Sequence, residues 1–127
     1  MVIRISVVED MIMWICLNNG YLSAVQSEDN YEVLVVRARA RSHLEDNFPE
    51  HDIIDWEGTD YLFRIYITKI EFAEFLFDKA LAIEYDNFKN SVTDKKLHNM
   101  YVSFWNAAYR TFGGKLFDRY RNNYSSK

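Results

Sequence analysis

Disulfides, proline-rich linkers and glycine-rich phosphate loops all lie beyond the means of this sequence. Its 127 residues hold one cysteine, one proline and four glycines. A lone thiol, Cys16, cannot make an internal disulfide and suits a reducing compartment. It sits in an apolar run with no base nearby in sequence, so it reads as a packed thiol rather than a nucleophile. Pro49 stands alone, and no Pro- or Gly-rich stretch marks a domain boundary. No apolar run approaches the roughly 18 residues needed to span a bilayer. The start, Met-Val-Ile-Arg-Ile-Ser-Val-Val-Glu-Asp, lacks the basic opening, long apolar segment and small-residue cleavage site of a signal peptide. A cytoplasmic protein without a membrane span is expected.

Catalytic signatures are missing too. His43, His51 and His98 are scattered without metal-ligand spacing, and no Gly-x-Ser-x-Gly elbow occurs. The sequence therefore assigns no catalytic residue, no metal and no cofactor, and it offers nothing that points to an enzyme.

What is present is apolar and aromatic. Apolar residues make up 49% and aromatics 17% of the chain. That composition excludes disorder and supports a single domain with a thick core, an aromatic contact surface, or both. The net charge is −4, unevenly spread. Seven acids lie between Glu45 and Asp60 with no Lys or Arg among them, whereas five basic residues from Arg110 onward face Asp118 alone. Such asymmetry steers partners by field, although overall acidity disfavours a general nucleic-acid binder.

Strands are read from β-branched and aromatic runs at Met13–Leu17, Tyr21–Gln26, Glu32–Ala40, His51–Trp56 and Tyr61–Ile67. Asn19-Gly20 between the first two is a type I′ hairpin signal. Helices are read from capping-box spacings at Ser42…Glu45, Thr68…Glu71 and Ser91…Asp94. The second helix shows an apolar stripe of Ile70, Ala73, Phe77 and Leu81. The third shows Leu97, Met100, Tyr101, Phe104, Trp105, Ala108 and Phe112, stopped by Gly113-Gly114. Short connections between strands imply an antiparallel sheet. The fold expected is α+β, with about five antiparallel strands and two long helices packed on one face. After Gly113, Phe117, Tyr120 and Tyr124 suggest a last amphipathic turn or a docking tail.

Strand alternation sorts the side chains into two faces. Ile15, Leu17, Leu22, Ala24, Leu34, Val36, Ala38, Tyr61, Phe63, Ile65 and Ile67 are expected toward the core. The other face then carries Arg37, Arg39 and Arg64 beside Trp14, Tyr21 and Tyr66. Guanidinium groups interleaved with aromatics bind phosphates and stack on planar groups, so this face is the candidate binding surface. A second candidate is the polar loop around Asn87 and Lys89 between the two long helices.

Several segments, Leu34-Val-Val-Arg-Ala-Arg39, Asp60-Tyr-Leu-Phe-Arg-Ile65, Tyr85-Asp-Asn-Phe-Lys-Asn-Ser-Val92 and His98-Asn-Met-Tyr with Trp105, resemble a family of small bacterial and phage proteins without an assigned activity. The resemblance runs from about Met13 to Phe112. It implies that residues 1–12 are an added or misassigned leader and that residues 113–127 form a tail outside the shared pattern. Together these readings lead to a non-enzymatic interaction protein, in the form of a phage-encoded modulator of a host protein complex, with a protein partner. The alternative is a binder of an anionic ligand, nucleotide or nucleic acid, through the Arg/aromatic face. A homodimer, through that face or the tail, is a further expectation to test.

Overall fold

The computed structural model describes residues 12–113. Along them run β1 (Ile12–Leu17), β2 (Gly20–Gln26), β3 (Val33–Ala38), α1 (Arg41–Glu45), β4 (Ile54–Asp55), β5 (Phe63–Thr68), α2 (Lys69–Leu81), α3 (Phe88–Ser91) and α4 (Lys95–Phe112). The strands form one antiparallel sheet in the order β1-β2-β3-β5-β4, so the α+β class and the five-stranded sheet are as expected. No described helix is long and apolar enough to cross a membrane.

The hairpin turns one step earlier than Asn19-Gly20 implies. Leu17 pairs with Gly20, which leaves Asn18 and Asn19 at the corner, and no described residue has a positive φ. Gly20 matters for packing instead. A Cβ there would lie 3.1 Å from Asn47 Nδ2 and 3.2 Å from His43 Cβ, so glycine lets α1 and the turn after it approach β2. The shift changes cross-strand partners by two positions and therefore keeps the same side chains on each face.

The main core fills one side of the sheet. Leu22, Val36 and Ile65 meet Leu44 from α1, Phe48, and Phe72 from α2. The Phe48 ring lies 4.4 Å from Phe75 and 6.3 Å from Phe72. The Ser42…Glu45 box is not used as a cap. Ala40 is the N-cap of α1 without a side-chain bond, Ser42 lies inside the helix, and Glu45 pairs with Arg41 at 2.6 Å. Thr68 does cap α2, accepting from the Glu71 N–H at 3.1 Å. The face that α2 buries differs from the expected stripe. Phe72, Phe75 and Leu76 pack on the core, while Ile70, Phe77 and Leu81 are 75%, 64% and 72% exposed. The helix is apolar on two sides, and the side bearing two phenylalanines has won the contact with Phe48.

The third capping box is displaced as well. Asp94 is itself the N-cap of α4, accepting from the Leu97 N–H at 2.9 Å. Ser91 instead ends α3, whose N-cap is Asn87. A second buried cluster joins Leu97 and Tyr101 of α4 to Tyr21 and Val92. Tyr21 points to the side of the sheet opposite its neighbour Leu22. The two long helices therefore do not share a face: α2 covers one, and α4 seats its first half on the other at the hairpin end. The cause is that Tyr21, with Phe104 edge-on at 5.7 Å, makes the hairpin apolar on both sides. The Tyr101 hydroxyl fastens this contact, 2.8 Å from both the Leu17 and the Gly20 carbonyl oxygens.

Candidate functional site

Beyond the area that α4 covers, a row of side chains crosses the second sheet face. Trp14 stands opposite Ser23, Ser23 opposite Arg37, and Arg37 opposite Arg64. Like charges placed directly across two strands oppose pairing, at a cost on the order of 0.2–1 kcal/mol. The surroundings offset it without neutralising it. Ser23, fully buried and small, accepts from Arg37 Nη2 at 2.9 Å. The Arg37 and Arg39 guanidinium carbons lie 4.6 and 4.7 Å from the Tyr61 ring centroid. Arg64 lies 4.7 Å from the Trp56 ring centroid and donates from Nη2 to Thr59 Oγ1 at 3.3 Å. Cation–π contacts of this kind contribute about 0.5–1 kcal/mol each where exposed.

None of the described ion pairs includes Arg37, Arg39 or Arg64; they join Arg41 to Glu45 and Asp55, and His51 to Glu71. A guanidinium carries five N–H donors. The Nε–H groups of Arg37 and Arg64 are buried without a partner, and each of these arginines commits one Nη donor. Burial lowers the pKa of Arg37; the nearby Tyr61 phenol and the Asp60 carboxylate work against this, and Arg64 adds to it. The guanidinium remains charged at neutral pH regardless.

Both arginines line a cleft of about 390 Å³. Val25 and Val35 lie two residues along the strands from the arginine row, on the same face, and Trp56 and Tyr66 supply aromatic walls. Glu28 and Asp29, just past β2, line the far end. The cleft is thus cationic and aromatic where β3 meets β5 and acidic at one margin.

Of the residues singled out from the sequence, Arg37, Arg64 and Tyr66 come together here. Arg39 is past the end of β3 but returns over Tyr61, donating from Nη1 to the Asp60 carbonyl at 3.3 Å. Trp14 is exposed near the hairpin, 6.4 Å from Tyr21, and neither lines the cleft. Tyr21 is instead buried beneath α4, its backbone N–H donating to His43 Nδ1, and burial pushes its phenol pKa up. Asn87 and Lys89 border a separate cavity of about 500 Å³ with Cys16, Phe88 and Trp105, where Lys89 Nζ lies 4.9 Å from the Trp105 ring. Cys16 is exposed rather than packed, yet its neighbours desolvate the thiol and push its pKa up, the reverse of an activated nucleophile.

Tyr61 and Trp56 are the residues that strand alternation misses. Tyr61 was expected toward the core, but it precedes β5 and turns back under the two arginines. Among the described residues no group of three His, Cys, Asp or Glu side chains is placed to hold a metal ion. The Phe117, Tyr120 and Tyr124 expectation lies outside the described residues. Compared with known proteins, the chain matches no family model, no curated protein and no solved structure.

Proposed function

We propose that this protein is a non-enzymatic binding protein that takes a small anionic ligand, bearing phosphate or carboxylate, in the cleft at Arg37 and Arg64. The observation that carries this reading is the direct opposition of two aromatic-backed arginines with no carboxylate in ion-pair contact among the described residues, Asp60 acting on Arg37 only from farther off. An oxyanion placed between them replaces repulsion with charge-assisted hydrogen bonds. The volume falls in the range of small-molecule sites. The acidic margin at Glu28 and Asp29, with the chain's net charge of −4, favours a compact ligand over a polynucleotide backbone.

Thermal denaturation of the full chain with inorganic pyrophosphate, adenosine monophosphate and a dicarboxylate tests it. A ligand at a hundredfold excess over its Kd adds about 2.7 kcal/mol of stability. The shift should vanish in the Arg37→Ala/Arg64→Ala variant. No shift with any of these anions would remove the proposal.

A second reading, a protein partner of the kind a phage-encoded modulator would engage, draws on Trp14 and Trp105, both exposed at the hairpin end where α4 sits. Trp, Tyr and Arg are the side chains that most often anchor interfaces. Trp14→Ala/Trp105→Ala should release such a partner in quantitative cross-linking, whereas loss of capture only in the arginine variant would return the assignment to the anion cleft.

A further inference from the structure

The cleft at Arg37 and Arg64 is charged in opposite senses at its two ends, and the strand register sets the distance between them. Ser23 stands opposite Arg37, and the Ser27 N–H donates to the Val33 carbonyl at 3.0 Å, so Ser27 lies four residues along the chain from the arginine row. At roughly 3.4 Å per residue that is about 14 Å of strand. Just beyond, the Asp29 N–H donates to Ser27 Oγ at 3.3 Å, a turn that sets Glu28 and Asp29 at the end of the cleft. Neither carboxylate takes an ion pair or a hydrogen bond from another described side chain. Between the two ends Val25 and Val35 form an apolar floor. Tyr66, opposite Val35 and 46% exposed, offers a ring that no described aromatic or cation covers.

A ligand matching this order carries an anion, then a flat ring, then hydrogen-bond donors. Inorganic pyrophosphate fills the first position only, and a dinucleotide is too long for the span. Ionised carboxylates accept hydrogen bonds and donate none, so the far end of the ligand must donate. Guanine turns adjacent N1–H and N2–H donors outward on the edge away from its sugar, whereas adenine and cytosine set a ring-nitrogen acceptor beside their amine. Resting on the reading of Arg37 and Arg64 as an anion site, we propose that the ligand of this cleft is a guanine nucleoside monophosphate. Its phosphate lies between the two arginines, its base packs on Tyr66 over Val25 and Val35, and its N1–H and N2–H groups face Glu28 and Asp29.

Isothermal titration calorimetry of the full chain tests this, with guanosine monophosphate, adenosine monophosphate and inorganic pyrophosphate as titrants. Guanosine monophosphate should bind roughly tenfold tighter than adenosine monophosphate, whose ring-nitrogen acceptor would face a carboxylate. It should also bind roughly tenfold tighter than pyrophosphate, which leaves the ring and donor positions unfilled. Glu28→Ala/Asp29→Ala and Tyr66→Ala, all at exposed positions, should each erase most of the margin over pyrophosphate. Arg37→Ala/Arg64→Ala should abolish binding of all three titrants. Suppose pyrophosphate binds and is lost in the arginine variant, but guanosine monophosphate binds no tighter than it or than adenosine monophosphate. The inference is then overturned while the anion site stands. Variants at Glu28, Asp29 and Tyr66 that keep the full margin would overturn it in the same way. Binding of none of the three would overturn the anion site and this inference together.

Discussion

Tyr101→Phe removes one oxygen and should loosen α4 from the sheet. The Tyr101 hydroxyl is buried, and its one proton is shared between the Leu17 and Gly20 carbonyls at 2.8 Å each. Phenylalanine keeps the ring against Phe88 and Phe104 but takes a second donor from two carbonyls that the Leu17–Gly20 pairing already engages. Loss of one such hydrogen bond costs about 0.5–1.5 kcal/mol net. At about 1 kcal/mol, and roughly 4 °C per kcal/mol for a domain of this size, Tm should fall by about 4 °C. Urea denaturation gives the free energy directly, with an unchanged m-value if the native surface is preserved.

The pH dependence adds a second constraint. Burial raises the Tyr101 pKa above its ordinary 10.0. A raised folded pKa means that the contribution is fully present below pH 10 and is lost as pH rises through the folded value. The gap between the unaltered protein and Tyr101→Phe should therefore be constant to about pH 10 and narrow above it. A gap below about 0.3 kcal/mol, under the usual range for a hydrogen bond, or one that widens in alkali, would refute the assigned contact.

Three further substitutions probe the frame that holds the cleft, each read by urea denaturation. Phe48→Ala opens a hole between Phe72, Phe75 and the sheet, and should cost about 3–5 kcal/mol. Thr68→Ala removes the α2 cap and should cost about 1 kcal/mol, with Thr68→Ser recovering most of it. Gly20→Ala forces a methyl against His43 and Asn47 and should cost about 1–3 kcal/mol, although Gly20 has no positive φ to lose.

The elements and the face sorting were legible because period-2 alternation survives small errors of register. Moving the hairpin turn from Asn19-Gly20 to Asn18-Asn19 left Ile15, Leu17 and Leu22 on one face and Cys16, Tyr21 and Ser23 on the other. Helix placement was less legible, since α2 offers two apolar stripes and only the tertiary partner, Phe48, decides between them. The same holds for α4, which settles on the hairpin's second face through Tyr21. Arg37, Arg64 and Tyr66 could be found because they lie inside strands. Trp56 and Tyr61 could not, because they sit in the connection between β4 and β5, where no periodicity says which way a side chain turns. The one available signal was the aromatic content of that acidic stretch.

The central claim, that Arg37 and Arg64 form one anion site, is tested most directly by side-chain NMR of arginine Nε–Hε groups during titration with inorganic pyrophosphate. The Arg37 and Arg64 resonances should move together and saturate with a single Kd. Arg41, already paired with Glu45 and Asp55, should stay in place. Resonances of Arg37 and Arg64 that remain still through millimolar pyrophosphate, or that drift in step with Arg41 without saturating, would contradict it.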